Sequence, residues 1–233
     1  MMKIKIERGI LSLLFMLLLI FIMAIVCVMV SVYMKKTNEL LAANYKQDLI
    51  IQMHDQQLPY VAEYTVLVER LSERAAGRMA AEDIVRVARV IMEQCALNRD
   101  IELTPDKIMA MIERESGFDP DAVSVAKAYG LMQIIQDTFL IHSADLGYNR
   151  FKVELALDPV TNVKIGIMEL VRLRRYWLEE GMDDWLYSIH SYFWGLRNTW
   201  ALLTTEGRAS LPSLEYAVGV LEMADRWKEE GVG

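Results

Sequence analysis

The sequence predicts an all-α protein: an N-terminal membrane-spanning helix, a helical connector and one larger helical domain. Three observations carry this. Ile10 to Met34 contains no charged residue. From Glu82 onward apolar residues recur at helical spacing. No stretch shows the apolar–polar alternation of a half-buried strand.

Residues 1–9 form a short tail with three bases, Lys3, Lys5 and Arg8, against Glu7. In the run that follows, residues 10–34, only Ser12 and Ser31 are plainly polar. At a rise of ~1.5 Å per residue this run spans ~37 Å, enough to cross a ~30 Å hydrocarbon core with some tilt. The run is longer than the apolar core of a signal peptide and is followed by Lys35 and Lys36, so it reads as an uncleaved anchor. The basic tail favours a cytoplasmic N-terminus, which puts the C-terminal part outside the cytoplasm. Cys27 follows Ala-Ile-Val, a poor fit to a lipoprotein cleavage site, and reads as an ordinary apolar membrane residue.

Residues 35–83 read as a polar, mostly helical connector broken by Pro59. Within it Leu41, Tyr45, Leu49 and Met53 recur every fourth residue and make a narrow apolar stripe. No heptad pattern is sustained, so no coiled coil is expected.

The main domain is expected over residues 84–233. Ile84, Val85, Val87, Ala88, Val90, Ile91 and Cys95 mark its first helix. Thr104-Pro105-Asp106 reads as the next helix start, with Thr as cap, Pro in the first turn and Asp at the positive end of the helix dipole. Further helices are expected over 131–146, 159–179, 182–203 and 213–230, with long loops near 116–130 and 147–158. Cys95 is the one cysteine beyond the anchor, so no intrachain disulfide is expected there.

Charge narrows the function. Setting aside Lys3, Lys5, Arg8, Lys35, Lys36 and Glu7 leaves 20 bases and 31 acids, a balance of −11 beyond residue 36. Such an acidic surface argues against nucleic acid as a partner. His54, His142 and His190 show no metal-ligand spacing, and no phosphate-binding glycine loop is present, so neither metal nor cofactor is expected.

One carboxylate is out of place. Ile108, Met111, Ile112 and Glu115 fall within an arc of ~100° on the helix that starts near Pro105. Glu115 thus lies on the apolar stripe, at the helix end, while Glu113 projects elsewhere. Apolar walls favour the neutral carboxyl and raise its pKa, which is what a general acid requires; the other reading of the stripe alone is a helix-end Glu whose head reaches water or a nearby backbone donor. Asp119 and Asp121 flank Pro120 in a turn and read as turn formers.

Around this residue, Glu115-Ser116-Gly117-Phe118, Pro120, Ala122, Ser124, Ala126, Ala128 and Gly130-Leu131-Met132-Gln133 follow a longer pattern. They resemble the lytic transglycosylase domain of the soluble-transglycosylase type, a relative of goose-type lysozyme. Asp158-Pro159, Asn162 and Gly166 resemble a second family stretch. Ser191-Tyr192-Phe193-Trp194-Gly195 and Leu211-Pro212 with Tyr216 resemble two more. The resemblance covers about residues 84–225 and leaves out the anchor and connector.

It implies a lysozyme-like helical domain acting on peptidoglycan glycan strands. The implied reaction cleaves the β-1,4 bond between N-acetylmuramic acid and N-acetylglucosamine without water. Glu115 first protonates the bridging oxygen, then takes a proton from the muramic C6 hydroxyl, leaving a 1,6-anhydro ring. Catalytic Glu115 is joined by substrate-binding Ser116, Gly130, Met132, Gln133, Tyr192 and Tyr216. Ser116 either bonds Glu115 or the substrate, or caps the helix end. Met132 lines the cleft or is a core methionine. Gln133 offers an amide donor and acceptor to acetylated sugars. Gly130 permits close backbone approach or a positive φ. Tyr192 and Tyr216 lie at the site or pack the core.

Three positions depart from the family: Phe193 for Asn, Lys127 for Gly and Gln136 for Pro. The first removes a polar contact expected in the cleft. Two other functions stay open, a water-using muramidase of the same fold and a weakened wall-binding protein. The anchor implies the bilayer as a partner through residues 10–34, an inner-membrane location and a possible envelope complex. Among Trp177, Trp185, Trp194 and Trp200, Trp194 beside Gly195 is the candidate for sugar stacking.

Overall fold

The computed structural model describes residues 23, 25–40, 61–205 and 214–230. The chain divides into two compact units, Met1–Tyr45 and Lys46–Gly233. In the first, α1 covers residues 25–40 with its side chains exposed. Most of the apolar run from Ile10 lies outside the described residues, as do the Leu41–Met53 stripe and His54. Among the described residues no helix is long and apolar enough to cross a membrane.

The described part of the second unit is built of helices and connecting loops. Its elements are α2 (Val61–Ala75), α3 (Ala81–Leu97), α4 (Pro105–Ser116), α5 (Gln136–Ser143) and α6 (Val153–Leu157). They are followed by α7 (Pro159–Glu179), α8 (Trp185–Trp194), α9 (Leu196–Thr205) and α10 (Glu215–Glu230). Short 3-10 turns at Arg99–Ile101 and Ala144–Leu146 tighten two connections.

Helix packing extends into residues before 84. α2 lies in the stretch read as connector, yet Tyr64, Leu67, Val68, Leu71 and Ala75 are buried. These positions follow the spacing of one helix face, and α2 lays that face on α3. Tyr64 also donates to the Val85 carbonyl at 2.9 Å, and Arg70 pairs with Asp106 at 3.3 Å. Buried core residues thus reach back to Tyr64, within the stretch read as connector, with Val61 packed against them.

α4 is the central element. Ile108, Met109, Ala110, Met111 and Ile112 are all fully buried. Its start follows the expected cap, with the Thr104 hydroxyl accepting from Lys107 N and Pro105 in the first turn. α10 packs along α4, α7 packs on α3, and α8 bridges α7 and α10. α7 begins as its sequence requires, with Asp158 accepting from Thr161 N at 2.8 Å ahead of Pro159.

Three boundaries differ from expectation, each for a backbone reason. The helix expected from 131 starts only at Gln136, because residues 129–134 form a reciprocal bridge: Tyr129 N donates to Ile134 O and Ile134 N to Tyr129 O. The helix expected over 182–203 breaks into α8 and α9 at Gly195, whose φ of 84° suits glycine. The loop expected over 147–158 contains the short helix α6.

Candidate active site

The site is organised by the loop between α4 and α5. At its base, buried Asn162 on α7 satisfies three backbone groups. Its Nδ2 donates to Tyr129 O and Ala156 O at 2.7 Å each, and its Oδ1 accepts from Met132 N at 2.7 Å. Gly130 sits directly against this amide. A Cβ there would lie 2.6 Å from Asn162 Nδ2, and φ is +70°. Both reasons offered for glycine at this position therefore hold together. Ser124 closes the outer turn, its hydroxyl accepting from Ala128 N at 3.0 Å.

The result is a groove of about 360 Å³, a size suited to a small ligand or one segment of a polymer. Glu115, Ser124, Gln133, Thr138, Glu169, Tyr192 and Phe193 line it, with apolar Ala126, Ala128, Ile134 and Ile135.

Glu115 closes the C-terminal end of α4 and is partly buried. Burial pushes its carboxyl above the ordinary range, against an opposing bond from Tyr216 and the charge of Arg114. Tyr216, near the start of α10, donates its hydroxyl to Glu115 Oε1. Burial first, then the Glu115 charge, raises the Tyr216 phenol so far that it stays a donor. The bond engages Oε1, and Glu115 lines the groove. Phe193 stacks on Tyr216, centroids 4.2 Å apart and planes 11° from parallel. The aromatic pair gives the Glu115–Tyr216 contact an apolar flank.

Tyr192 is also at the site, but its hydroxyl donates to Met132 O at 2.8 Å rather than to Glu115. Burial, then the charges of Glu115 and Glu169, push its phenol well up. The ring thus stands within electrostatic reach of both carboxylates.

Gln133 lines the groove with φ at +49°. Its Nε2 is already committed, donating to Gly130 O at 2.9 Å and Ala122 O at 3.2 Å. It therefore offers a ligand its carbonyl oxygen, not both amide functions as expected. Met132 is not a cleft wall. It is fully buried beneath the loop and fits against Gly166, where a Cβ would lie 2.5 Å from its sulfur. Ser116 back-bonds to Ile112 O at 3.1 Å within its own helix and is not among the groove-lining residues. Gly130 acts as structural support, beneath the groove rather than on its wall.

Glu169, Thr138 and Ser124 line the groove without having been singled out from the sequence as binding residues. Ser124 was legible as part of the motif. Glu169 was hidden because it lies on α7 in an ordinary amphipathic pattern, 54 positions after Glu115. Of the tempting residues, His190 is a packing group that bonds Thr199 Oγ1 at 2.9 Å. Trp177 is buried and donates to Ser191 Oγ at 2.8 Å. Trp194 is 55% exposed and stacks on His190. Asp119 forms a turn, accepting from Asp121 N at 3.0 Å.

Residues 96–210 match the family model described as the transglycosylase SLT domain. Among solved structures the chain is similar to the 70 kDa soluble lytic transglycosylase of Escherichia coli. Identity is 18% over 72% of this chain and 30% of that one, with a TM-score of 0.49. It is likewise similar to an inactive mutant of the lytic transglycosylase Slt of Pseudomonas aeruginosa, at 18% identity over 78% of this chain and 29% of that one, with a TM-score of 0.49. The chain spans less than a third of the length of either structure. No curated protein matches it.

Proposed function

From the match of residues 96–210 to the transglycosylase SLT domain model, we propose that this chain is a membrane-anchored peptidoglycan lytic transglycosylase. The observation that carries the reading is one carboxylic acid, Glu115, shielded by burial and steadied by Tyr216, on the wall of a groove. A carboxyl whose pKa is raised by burial holds its proton to higher pH than an ordinary one and can deliver it to the glycosidic oxygen. The resulting carboxylate is stabilised by the Tyr216 hydroxyl and the Arg114 charge. It then accepts the proton of the muramic C6 hydroxyl, which closes on C1 and leaves the anhydro ring.

This choice over hydrolysis has a physical basis. A water-using glycosidase needs a second carboxylate as base or nucleophile. Among the described residues, Glu169 is the other carboxylate on the groove wall. Burial works to raise its pKa, but bonds from Arg172 and His142 outweigh that and hold it below the ordinary range. A carboxyl so held is a poor base for water. The intramolecular hydroxyl needs no such partner.

The uncharged run at residues 10–34 would hold the enzyme in the inner membrane, with the domain facing the wall outside the cytoplasm. Such tethering suits local wall opening within an envelope complex.

The test is mass analysis of muropeptides released from purified sacculi by the full chain in detergent. Transglycosylation yields anhydro ends, lighter by one water than the reducing ends of hydrolysis. Reducing ends alone would replace this reading with a muramidase. No fragments, together with retained glycan binding, would make it a wall-binding protein.

A further inference from the structure

The groove contains a carboxylate that the proposed chemistry leaves unused. Glu169 is 9% exposed and lines the groove. Its Oε2 accepts from His142 Nε2 and Arg172 Nε, both at 2.8 Å, and its Oε1 accepts from Arg172 Nη2 at 2.7 Å. A carboxylate offers about four lone-pair positions. Three are filled, and the fourth is on Oε1. Two donors fix the rotamer and the plane of the group, as expected of a pre-organised acceptor. The bidentate Arg172 neutralises its charge locally, so the group does not select a cation. A buried ion pair is also a weak source of stability compared with apolar packing. A purely structural role accounts poorly for its placement on the groove wall.

We propose that Glu169 is a positioning and specificity-determining residue, whose Oε1 accepts a hydrogen bond from an uncharged N–H or O–H donor of a sugar in the groove. His142 and Arg172 hold it in place. The inference rests on the glycan-cleaving reading of the groove. Gln133 presents a carbonyl oxygen, Glu169 presents a carboxylate oxygen, and Tyr192 lies near both carboxylates. The groove therefore offers acceptors to the sugar at Gln133 and Glu169 and a donor at the acid Glu115.

The test uses the full chain in detergent with peptide-free, soluble glycan strands. In Glu169→Gln, the amide oxygen keeps the bonds from Arg172 Nε and His142 while the NH2 takes the place of Oε1, giving up the Arg172 Nη2 bond and replacing an acceptor with a donor. KM is expected to rise about ten-fold with kcat changed by less than about three-fold. The dissociation constant of the same strands should rise in parallel when Glu169→Gln is added to the Glu115→Gln protein. A lowered melting temperature with KM and binding unchanged would assign Glu169 a structural role only and overturn the proposal. Should Glu169→Gln not fold, Arg172→Lys decides. It keeps the charge but not the fork, and an unchanged KM would overturn the proposal equally. If Glu115→Gln itself still cleaves strands, the parent reading fails. If only the Glu169 variants behave as wild type, this inference fails alone.

Discussion

Tyr216 on α10 donates its hydroxyl to Glu115 at the end of α4, linking residues 101 positions apart in the chain. Two opposing influences meet at that bond. Burial favours the neutral acid, and the phenol favours the ionised form. In the proposed reaction the same carboxyl acts as acid and then base, and these opposing influences would suit both roles.

Replacing Glu115 by Gln keeps shape and polarity but removes the proton. Lysis of sacculi should fall by about 10²–10⁴-fold. Stability should move the other way. Because the folded pKa is raised, the native state is favoured fully below the ordinary carboxylate range and loses that advantage as pH rises through the folded pKa. Glu115→Gln should therefore melt higher than wild type at neutral pH, with the gap closing in acid. Thermal melts at both pH values check the sign.

Tyr216→Phe removes a donor that favours ionised Glu115. The acid should hold its proton to higher pH, so the alkaline limb of kcat/KM moves upward. The pH profile distinguishes this from simple loss of packing, since the ring and its stacking on Phe193 are retained.

Phe193→Asn should shift the same limb in the opposite direction. Phe193 covers one face of Tyr216 and is 53% exposed. An amide in its place admits water to the Glu115 carboxyl and weakens the burial that raises its pKa. The stacked pair is also worth about 0.5–1.5 kcal/mol, so the melting point should fall modestly. Opposite limb shifts in the two variants are the expected result.

Much of this site could be read from the sequence. Glu115 was visible as a carboxylate on an apolar helix stripe, and Gly130 as a backbone requirement. Local capping at Thr104 placed α4 closely, and the helix expected over 159–179 coincides with α7. What stayed hidden depends on contacts between distant elements. Met132 is turned inward by the glycine gap at Gly166, and the Gln133 amide is spent on its own loop. Glu169 enters the groove only because α7 crosses beneath the loop. Tertiary hydrogen bonds outweighed the helical pattern at 131–135, and a single glycine outweighed it at 195.

Gly130→Ala should cripple the loop. The new Cβ meets Asn162 at 2.6 Å, and an alanine at φ +70° is strained. Combined overpacking and left-handed strain cost about 2–4 kcal/mol. Asn162→Ala removes three buried hydrogen bonds and should cost a similar ~2–4 kcal/mol. Since both act on one contact, the double variant should lose clearly less than the sum, as denaturant midpoints will show.

Gln133→Glu tests the claim that this side chain spends its donors on the loop. The substitution sets a carboxylate oxygen where Nε2 now faces the carbonyls of Gly130 and Ala122. Two favourable contacts become repulsive, and a loss of about 2–3 kcal/mol is expected near neutral pH. Protonating the new carboxyl restores one donor, so the variant should regain part of the difference as pH falls. If the amide instead presented its NH2 to the groove, Gln133→Glu would leave the melting point nearly unchanged and alter glycan binding alone. Melting curves across pH, paired with strand binding, separate the two arrangements.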